Sequence, residues 1–364
     1  MTGGSVRVGI VGCGGIAQAH LREYLKLPDV RVVALADPVP GRAAALGRDL
    51  GLDGALTFED YHHLLASDLD AISVCTPNVQ HRPVAVDALA AGLHVLAEKP
   101  MAASLADGVA MVEAARKAKR ILSIGFQSRY DRNLLLAKRL LDSGALGKIY
   151  YVEMGGGRRR GLPGSESFYH HNYARGGVVL DIGCYSMDVA MHLLGNPKPL
   201  SVSAVTANPF VRARAAASGW PAEVEDLGVA FVRFEDELTM VLKISWAMHV
   251  ASLGACLFLG ADGGLEMRVS GGLGDDTVQA LTHFHDEAGV PVATELPVQR
   301  PGANGAFGQK VAEFVAAVRD DGPAPIPGDE SLRQIAILEA MYRSAEIGKE
   351  VALPDIDIEG DRAC

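Results

Sequence analysis

Residues 6–37 constrain this chain more than any other stretch. Val6 to Val11 is an apolar run of strand length, and Gly12-Cys13-Gly14-Gly15-Ile16-Ala17 follows it. A helical pattern comes next, then a second apolar run, Val32-Val33-Ala34-Leu35-Ala36, closed by Asp37. A strand, a G-x-G-x-x-A turn, a helix and a second strand ending in an acid make up the unit that cradles a dinucleotide. Gly12 permits the sharp turn, Gly14 leaves room for a pyrophosphate against the backbone, and Ala17 lets the helix pack closely on the sheet. Gly15 and Ile16 open the helix, whose unbonded N–H groups face the phosphates. Asp37, about twenty residues past the loop, is placed to accept from the adenosine ribose. A glycine-rich turn by itself is common. The flanking strand, helix and acid carry the assignment against the competing reading, a flavodoxin-like sheet with no cofactor.

The alternation continues to residue 125. Strand runs stand at 70–77, 94–97 and 121–125, with helical patterns at 38–50, 84–91 and 104–119. Thr57-Phe58-Glu59-Asp60 reads as a cap ahead of another helix. This predicts a doubly wound, mostly parallel sheet over residues 1–125. Ligands of such sheets gather at strand C-termini. Two turns are therefore of interest: Thr76-Pro77-Asn78, with His81 close behind, and Glu98-Lys99-Pro100. Most lysines are simply solvated. At a strand end beside the dinucleotide loop, an ammonium would polarise a carbonyl or stabilise an alkoxide.

After residue 125 the pattern changes. A helix over 133–143 leads to strands at 149–154, 201–206, 227–234, 239–246, 255–259 and 265–269. Several alternate apolar with polar, as an open antiparallel sheet with one wet face does. Helical patterns return at 307–319 and 331–347, with a Pro/Gly linker at 322–328 between them, and residues 207–222 read as a surface insertion. The expected architecture is α/β: a Rossmann domain over 1–125 and a second α/β domain over 126–364. The last two helices are candidates to pack back on the first domain. The tail beyond Asp355 is acidic and reads as loose.

Residues 176–194 are apolar with helical period, yet contain Asp181, Tyr185 and Asp188. Asp181 and Tyr185 are four apart and share a helix face. An acid and a phenol in such a helix read equally as a capping acid with a buried tyrosine or as part of a site. Arg158-Arg159-Arg160 sits in a glycine-rich loop, and the choice is between an anion contact and a solvated charge run. His283 and His285 have strand spacing that suits a metal, but no third ligand is evident, so they read as a surface pair and no metal is assigned. His20 reads as core.

The whole chain sets outer limits. Its 364 residues suffice for two domains, and its net charge of −10 with no basic run argues against nucleic acid. No apolar run is long enough for a bilayer, and the first residues lack a signal-peptide core. Five scattered cysteines, with no C-x-x-C pair, suit reduced thiols. A cytoplasmic protein is the expectation.

The order and spacing of Gly12-x-Gly14-x-x-Ala17, Asp37, Thr76-Pro77-Asn78 with His81, Glu98-Lys99-Pro100 and Asp181 with Tyr185 resemble the Gfo/Idh/MocA family. The likeness runs from about residue 6 to residue 354. It implies a Rossmann domain, a second domain built on a large open sheet, and NAD(P)-linked chemistry on a sugar, amino sugar or cyclitol. It implies a catalytic group of Lys99, Asp181 and Tyr185. The last of these stands where inositol dehydrogenase-like members have His, and the glucose–fructose oxidoreductase-like branch has Tyr. It implies cofactor contacts from Thr76, Pro77, Asn78, His81, Glu98 and Lys99, besides the loop and Asp37. Substrate contacts are expected from Lys99, Arg129, Tyr130, Arg158, His171, Asn172, Asp181 and Tyr185, with His170 nearby. A carboxylate at Asp37 repels a 2′-phosphate and so favours NAD over NADP, with Arg42 close enough to soften the preference. The resemblance further implies a homodimer or homotetramer formed through the open sheet. Two other readings keep the fold: an NAD-using glycosidase, whose His-Gly-Leu-Gly-Pro-like signature is missing, and a non-enzymatic dinucleotide sensor, which has no need of Lys99, Asp181 and Tyr185.

Overall fold

The computed structural model describes residues 5–269, 278–299 and 305–356. The tail from 357 on, with Cys364, lies outside them. Two compact units emerge. One takes the chain up to Gly125 together with Gly308–Ser331; the other takes Phe126–Phe307 and the chain from Leu332 on.

In the first unit six strands pair in parallel: β1 (Val6–Val11), β2 (Val30–Ala36), β3 (Leu56–Phe58), β4 (Ala71–Val74), β5 (His94–Ala97) and β6 (Leu122–Ile124). Their order is β3-β2-β1-β4-β5-β6, so the winding reverses between β1 and β4, the point at which sheets of this type bind ligands beyond their strand ends. Val8, Ile10, Leu35, Ile72 and Val95 are wholly buried, as expected of strands covered on both faces. The sequence pattern yields only five of these strands. β3 is a three-residue edge strand without a fully buried side, so it carries no apolar signal. The cap read at 57–60 narrows to Asp60, which accepts from the His62 amide at 2.9 Å. Residues 322–328 are also more than a linker. The Ile124 amide donates to the Ile326 carbonyl at 3.0 Å, and Pro327 bridges Ser123, so the segment closes the open edge of β6.

The second unit holds a nine-stranded sheet: β7 (Ile149–Gly157), β8 (Pro199–Ala207), β9 (Leu227–Phe234), β10 (Thr239–Ser245), β11 (Cys256–Gly260), β12 (Gly263–Val269), β13 (Val278–Glu287), β14 (Val290–Leu296) and β15 (Val351–Ala352). The order is β14-β13-β12-β11-β7-β10-β9-β8-β15, with β7 and β10 parallel and the other pairs antiparallel. One face is core: Val152, Val202, Val232, Met240, Leu242, Phe258 and Met267 are wholly buried. The helical stretch from Val178 lies on this face. A Cβ on Gly183 would stand 2.5 Å from Ile244 Cδ1, and one on Gly228 would stand 2.7 Å from Val179 Cγ2. The other face carries Ser203, Phe231, Val241, Glu153 and Leu257 side by side in register, all at least partly exposed.

Three departures from the sequence reading have physical causes. The hairpin of β13 and β14 is largely solvated, so little apolar alternation marks it. Its turn is set by positive φ at Ala288 and Gly289. Residues 207–222 contain an ordered helix, Pro209–Ser218. Proline opens it, alanines fill it, and Gly219 ends it in the left-handed region at φ 73°. The apolar stretch at 176–194 is two helices, Val178–Asp181 and Gly183–Leu193. They join at Ile182, whose carbonyl receives the Tyr185 amide three residues on, a tightened turn. Among the described residues no helix is long and apolar enough to cross a membrane.

Candidate active site

The glycine loop links the end of β1 to the helix Gly15–Tyr24. Gly12 has φ +88°, and a Cβ there would stand 2.5 Å from the Cys75 carbonyl, where β4 gives way to the Thr76 turn. Only glycine fits that crossing. A Cβ on Gly14 or Gly15 would meet nothing within 4 Å, so both face open space. No side chain caps the helix, and Ala17 is wholly buried beneath it. Asp37 is nearly buried at the end of β2. Its Oδ2 accepts from the Cys13 amide at 2.8 Å and its Oδ1 from the Val39 amide at 2.9 Å. Each oxygen keeps a further lone pair. The Arg42 guanidinium stands 3.4 Å from Oδ1. Uncapped amides, open space in front of them and an oriented carboxylate fit the phosphates and ribose of a dinucleotide.

The two later turns are tied together. His81 Nδ1 lies 2.8 Å from the Pro100 carbonyl and Nε2 lies 2.9 Å from the Thr76 carbonyl. Burial lowers the proton affinity of this imidazole, against the pull of the two backbone carbonyls, which favour a protonated ring. Both ring nitrogens of His81, read from the sequence as a cofactor contact, are thus engaged with backbone. Glu98, read the same way, turns its carboxylate inward. Its Oε1 receives Lys310 Nζ at 2.7 Å and lies 2.8 Å from His20 Nε2. His20 Nδ1 meets Ser73 Oγ at 3.1 Å, and Tyr24 Oη meets the same hydroxyl at 2.7 Å. Burial pushes the Glu98 carboxyl up, but the Lys310 charge and the His20 hydrogen bond outweigh it and hold the group well below the carboxylate range. Gly125 leaves room for this acid: a Cβ there would stand 2.8 Å from Glu98 Oε1. Lys310 is remote in sequence and carries no local signal. Glu98 Oε2 receives the Lys99 amide at 3.2 Å, which joins this network to the backbone of Lys99.

In the second unit, Asp181 and Tyr185 are the only residues between 176 and 191 that are not buried. Trp246 Nε1 donates to Asp181 Oδ2 at 2.8 Å, and Gln127 Nε2 donates to Tyr185 Oη at 2.8 Å. Both donors escape sequence reading, because their partners lie 65 and 58 residues away. Asp188, on the same helix as Tyr185, binds Arg129 Nη2 at 2.7 Å, with both groups almost buried. Arg129, read as a substrate contact, is therefore held by an ion pair. The lead-in to Asp181 is also anchored. Glu225 accepts from the Gly177 and Val179 amides and from Tyr342 Oη at 2.9 to 3.0 Å. A Cβ on Gly177 would stand 1.9 Å from the Glu225 carbonyl and one on Gly176 2.0 Å from Tyr342 Oη, so the two glycines are packing requirements.

The remaining expected contacts are more exposed. Arg158 and Arg159 are solvated, while Arg160 meets His249 Nδ1 at 3.2 Å. His170 lies 3.4 Å from Glu166 Oε1, and the His171 amide donates to Glu223 Oε2 at 2.8 Å, with the His171 and Asn172 side chains exposed. Tyr130 is half-buried. His283 and His285 stack at 4.5 Å on β13, and no group of three His, Cys, Asp or Glu among the described residues has the geometry to hold a metal.

A family model described as the NAD-binding Rossmann fold of the Gfo/Idh/MocA oxidoreductases matches residues 6–126, and one for their C-terminal alpha/beta domain matches residues 138–353. The chain is similar to the D-glucoside 3-dehydrogenase of Escherichia coli strain K12, with 34% identity over 56% of this chain and 58% of that protein. It is similar also to the scyllo-inositol 2-dehydrogenase (NAD(+)) of Bacillus subtilis strain 168, with 31% identity over 57% of this chain and 59% of that protein. These two matches span less than two thirds of either relative. Among solved structures, the aldose-aldose oxidoreductase of Caulobacter crescentus, crystallised with glycerol, matches 96% of this chain and 100% of its own, with a TM-score of 0.77 and 27% identity.

Proposed function

The chain belongs to the Gfo/Idh/MocA family of NAD-dependent oxidoreductases, and we propose that it interconverts a secondary alcohol and a ketone on a sugar, amino sugar or cyclitol. One observation carries this reading: in a buried helical stretch the only two residues that are not buried are an acid and a phenol, each held by a donor from another element. Trp246 can only donate, so the carboxylate of Asp181 is fixed as an acceptor for substrate hydroxyls. Tyr185 takes the hydroxyl proton in the oxidative direction and returns it in the reductive one. Lys99 supplies positive charge to the reacting oxygen. NAD, when bound, supplies the two-electron acceptor. Loop and strand-end residues Gly12, Gly14, Gly15, Ile16, Ala17, Asp37, Thr76, Pro77 and Asn78 are the proposed cofactor contacts, and Arg158, His171 and Asn172 the proposed outer substrate contacts.

The test is a panel of sugars, glycosides and inositols incubated with NAD or NADP, following nicotinamide absorbance. Net NADH with at least one polyol is expected, with NADH binding roughly tenfold tighter than NADPH because Asp37 repels a 2′-phosphate. Sugar release without net NADH would point to the glycosidase reading, and no turnover of either kind would sink both. We further propose that the half-exposed sheet face bearing Phe231 and Val241, with Val205 beside it, pairs with a second copy. Light scattering should give a multiple of the chain mass, and Val205→Asp with Phe231→Asp should reduce it; a monomeric wild type would refute the pairing.

A further inference from the structure

Gln127 opens a short 3-10 turn, Gln127–Tyr130, that runs beside the helix carrying Tyr185. The turn and the helix are joined at two points. Gln127 Nε2 meets Tyr185 Oη at 2.8 Å. Arg129 grips Asp188 with Nη2 at 2.7 Å from Oδ1 and Nε at 3.1 and 3.2 Å from the two oxygens. Turn residues 127 and 129 thus meet helix residues 185 and 188, and the ion pair fixes the height at which the amide reaches the phenol. Gln127 is 8% exposed, so water competes poorly for this bond. Phe126 sets the ring's tilt from another side, edge-on at 6.0 Å and 81°. The charged groups of the two helices that meet at Ile182 are Asp181 on the first and, on the second, Asp188, which Arg129 of the turn neutralises.

An amide –NH2 has no lone pair to offer. The phenol oxygen therefore receives a hydrogen bond from Gln127 and must direct its own proton elsewhere. The same bond strengthens when the oxygen becomes negative, since hydrogen bonds to charged groups are about twice as strong as neutral ones. We propose that Gln127 is a positioning residue for Tyr185, turning the phenolic proton toward the substrate and stabilising the phenolate that accepts a proton from the alcohol. This rests on Tyr185 being the acid–base group of the proposed reaction. Proton balance is unchanged: the proton moves between substrate oxygen and Tyr185 oxygen, and Gln127 keeps both of its own.

The test compares wild type with Gln127→Met, which keeps the length of the side chain, and Gln127→Glu, which replaces the amide with a carboxylate. The readout is kcat and kcat/KM for oxidation across pH, with melting temperature as the control for folding. For Gln127→Met, the rising alkaline limb should move up by about one pH unit, with kcat below the limb down roughly tenfold and KM changed less than about twofold. Gln127→Glu should move it further, because a carboxylate beside the phenolate repels it. A purely packing role would lower melting temperature or raise KM and leave the limb in place. An unmoved limb in either folded variant overturns the proposal. Tyr185→Phe separates the two failures. If that variant keeps wild-type turnover, the underlying reading is wrong; if it is inactive while the Gln127 variants titrate like wild type, only the role of Gln127 is.

Discussion

Tyr185→Phe should retain roughly a thousandth of wild-type kcat, within the range general acid–base catalysis contributes, while its affinity for NADH stays within about twofold of wild type. The substitution removes one oxygen from a half-buried ring that is otherwise fixed by Phe126, so packing changes little. It leaves Gln127 without its acceptor in a nearly closed setting, which costs roughly 1–3 kcal/mol of stability. The proposed cofactor contacts in the glycine loop belong to the other compact unit and are untouched. A variant that turned over at the wild-type rate would reassign the proton transfer.

Lys310→Met should cost about 3–5 kcal/mol of folding stability, the range for leaving one partner of a buried ion pair unmatched. Lys310 and Glu98 are 2% and 4% exposed, so solvent cannot replace the missing charge. The pH dependence has a definite sign. Burial, then the Lys310 charge, holds the His20 proton affinity below its ordinary 6.5, and Lys310 holds Glu98 below its ordinary 4.5. For both groups the unfolded chain takes up protons more readily. The stability they contribute is present above the ordinary values and is lost as pH falls below 6.5 for His20 and 4.5 for Glu98. Without Lys310, a protonated His20 can serve as the counter-ion of Glu98. The deficit of the variant should therefore be largest at mildly alkaline pH and shrink in mild acid. Urea midpoints at the two pH values measure this, and equal midpoints for variant and wild type would show that the pair adds nothing.

The glycine loop, the acid after β2 and the strand-end Lys99 are legible in sequence because each is a local device. A turn that needs φ > 0, a helix start and a strand end are encoded within a few residues. Asp181 and Tyr185 are legible for a different reason: polar groups interrupt an apolar helical pattern. The edge strand β3, the β13–β14 hairpin and the helix at Pro209–Ser218 are not, because solvated elements bury too little to impose a period on the chain. The roles of Glu98 and His81 depend on what they face. Their neighbours in sequence suggest a ligand, whereas in the fold Glu98 faces Lys310 and His20, and His81 faces two backbone carbonyls.

The sequence alone determined the parallel dinucleotide-binding sheet, the change to a mainly antiparallel one after residue 125, and the identity of the acid and the phenol. Tertiary structure alone decided which groups hold them: Trp246 on Asp181, Gln127 on Tyr185, Arg129 on Asp188 and Lys310 on Glu98. Each of these partners lies 58 or more residues from the group it holds. Backbone propensities and side-chain periods act over a turn or a strand. A hydrogen bond between distant residues exists only once packing has brought them within 3 Å, and no local pattern records it.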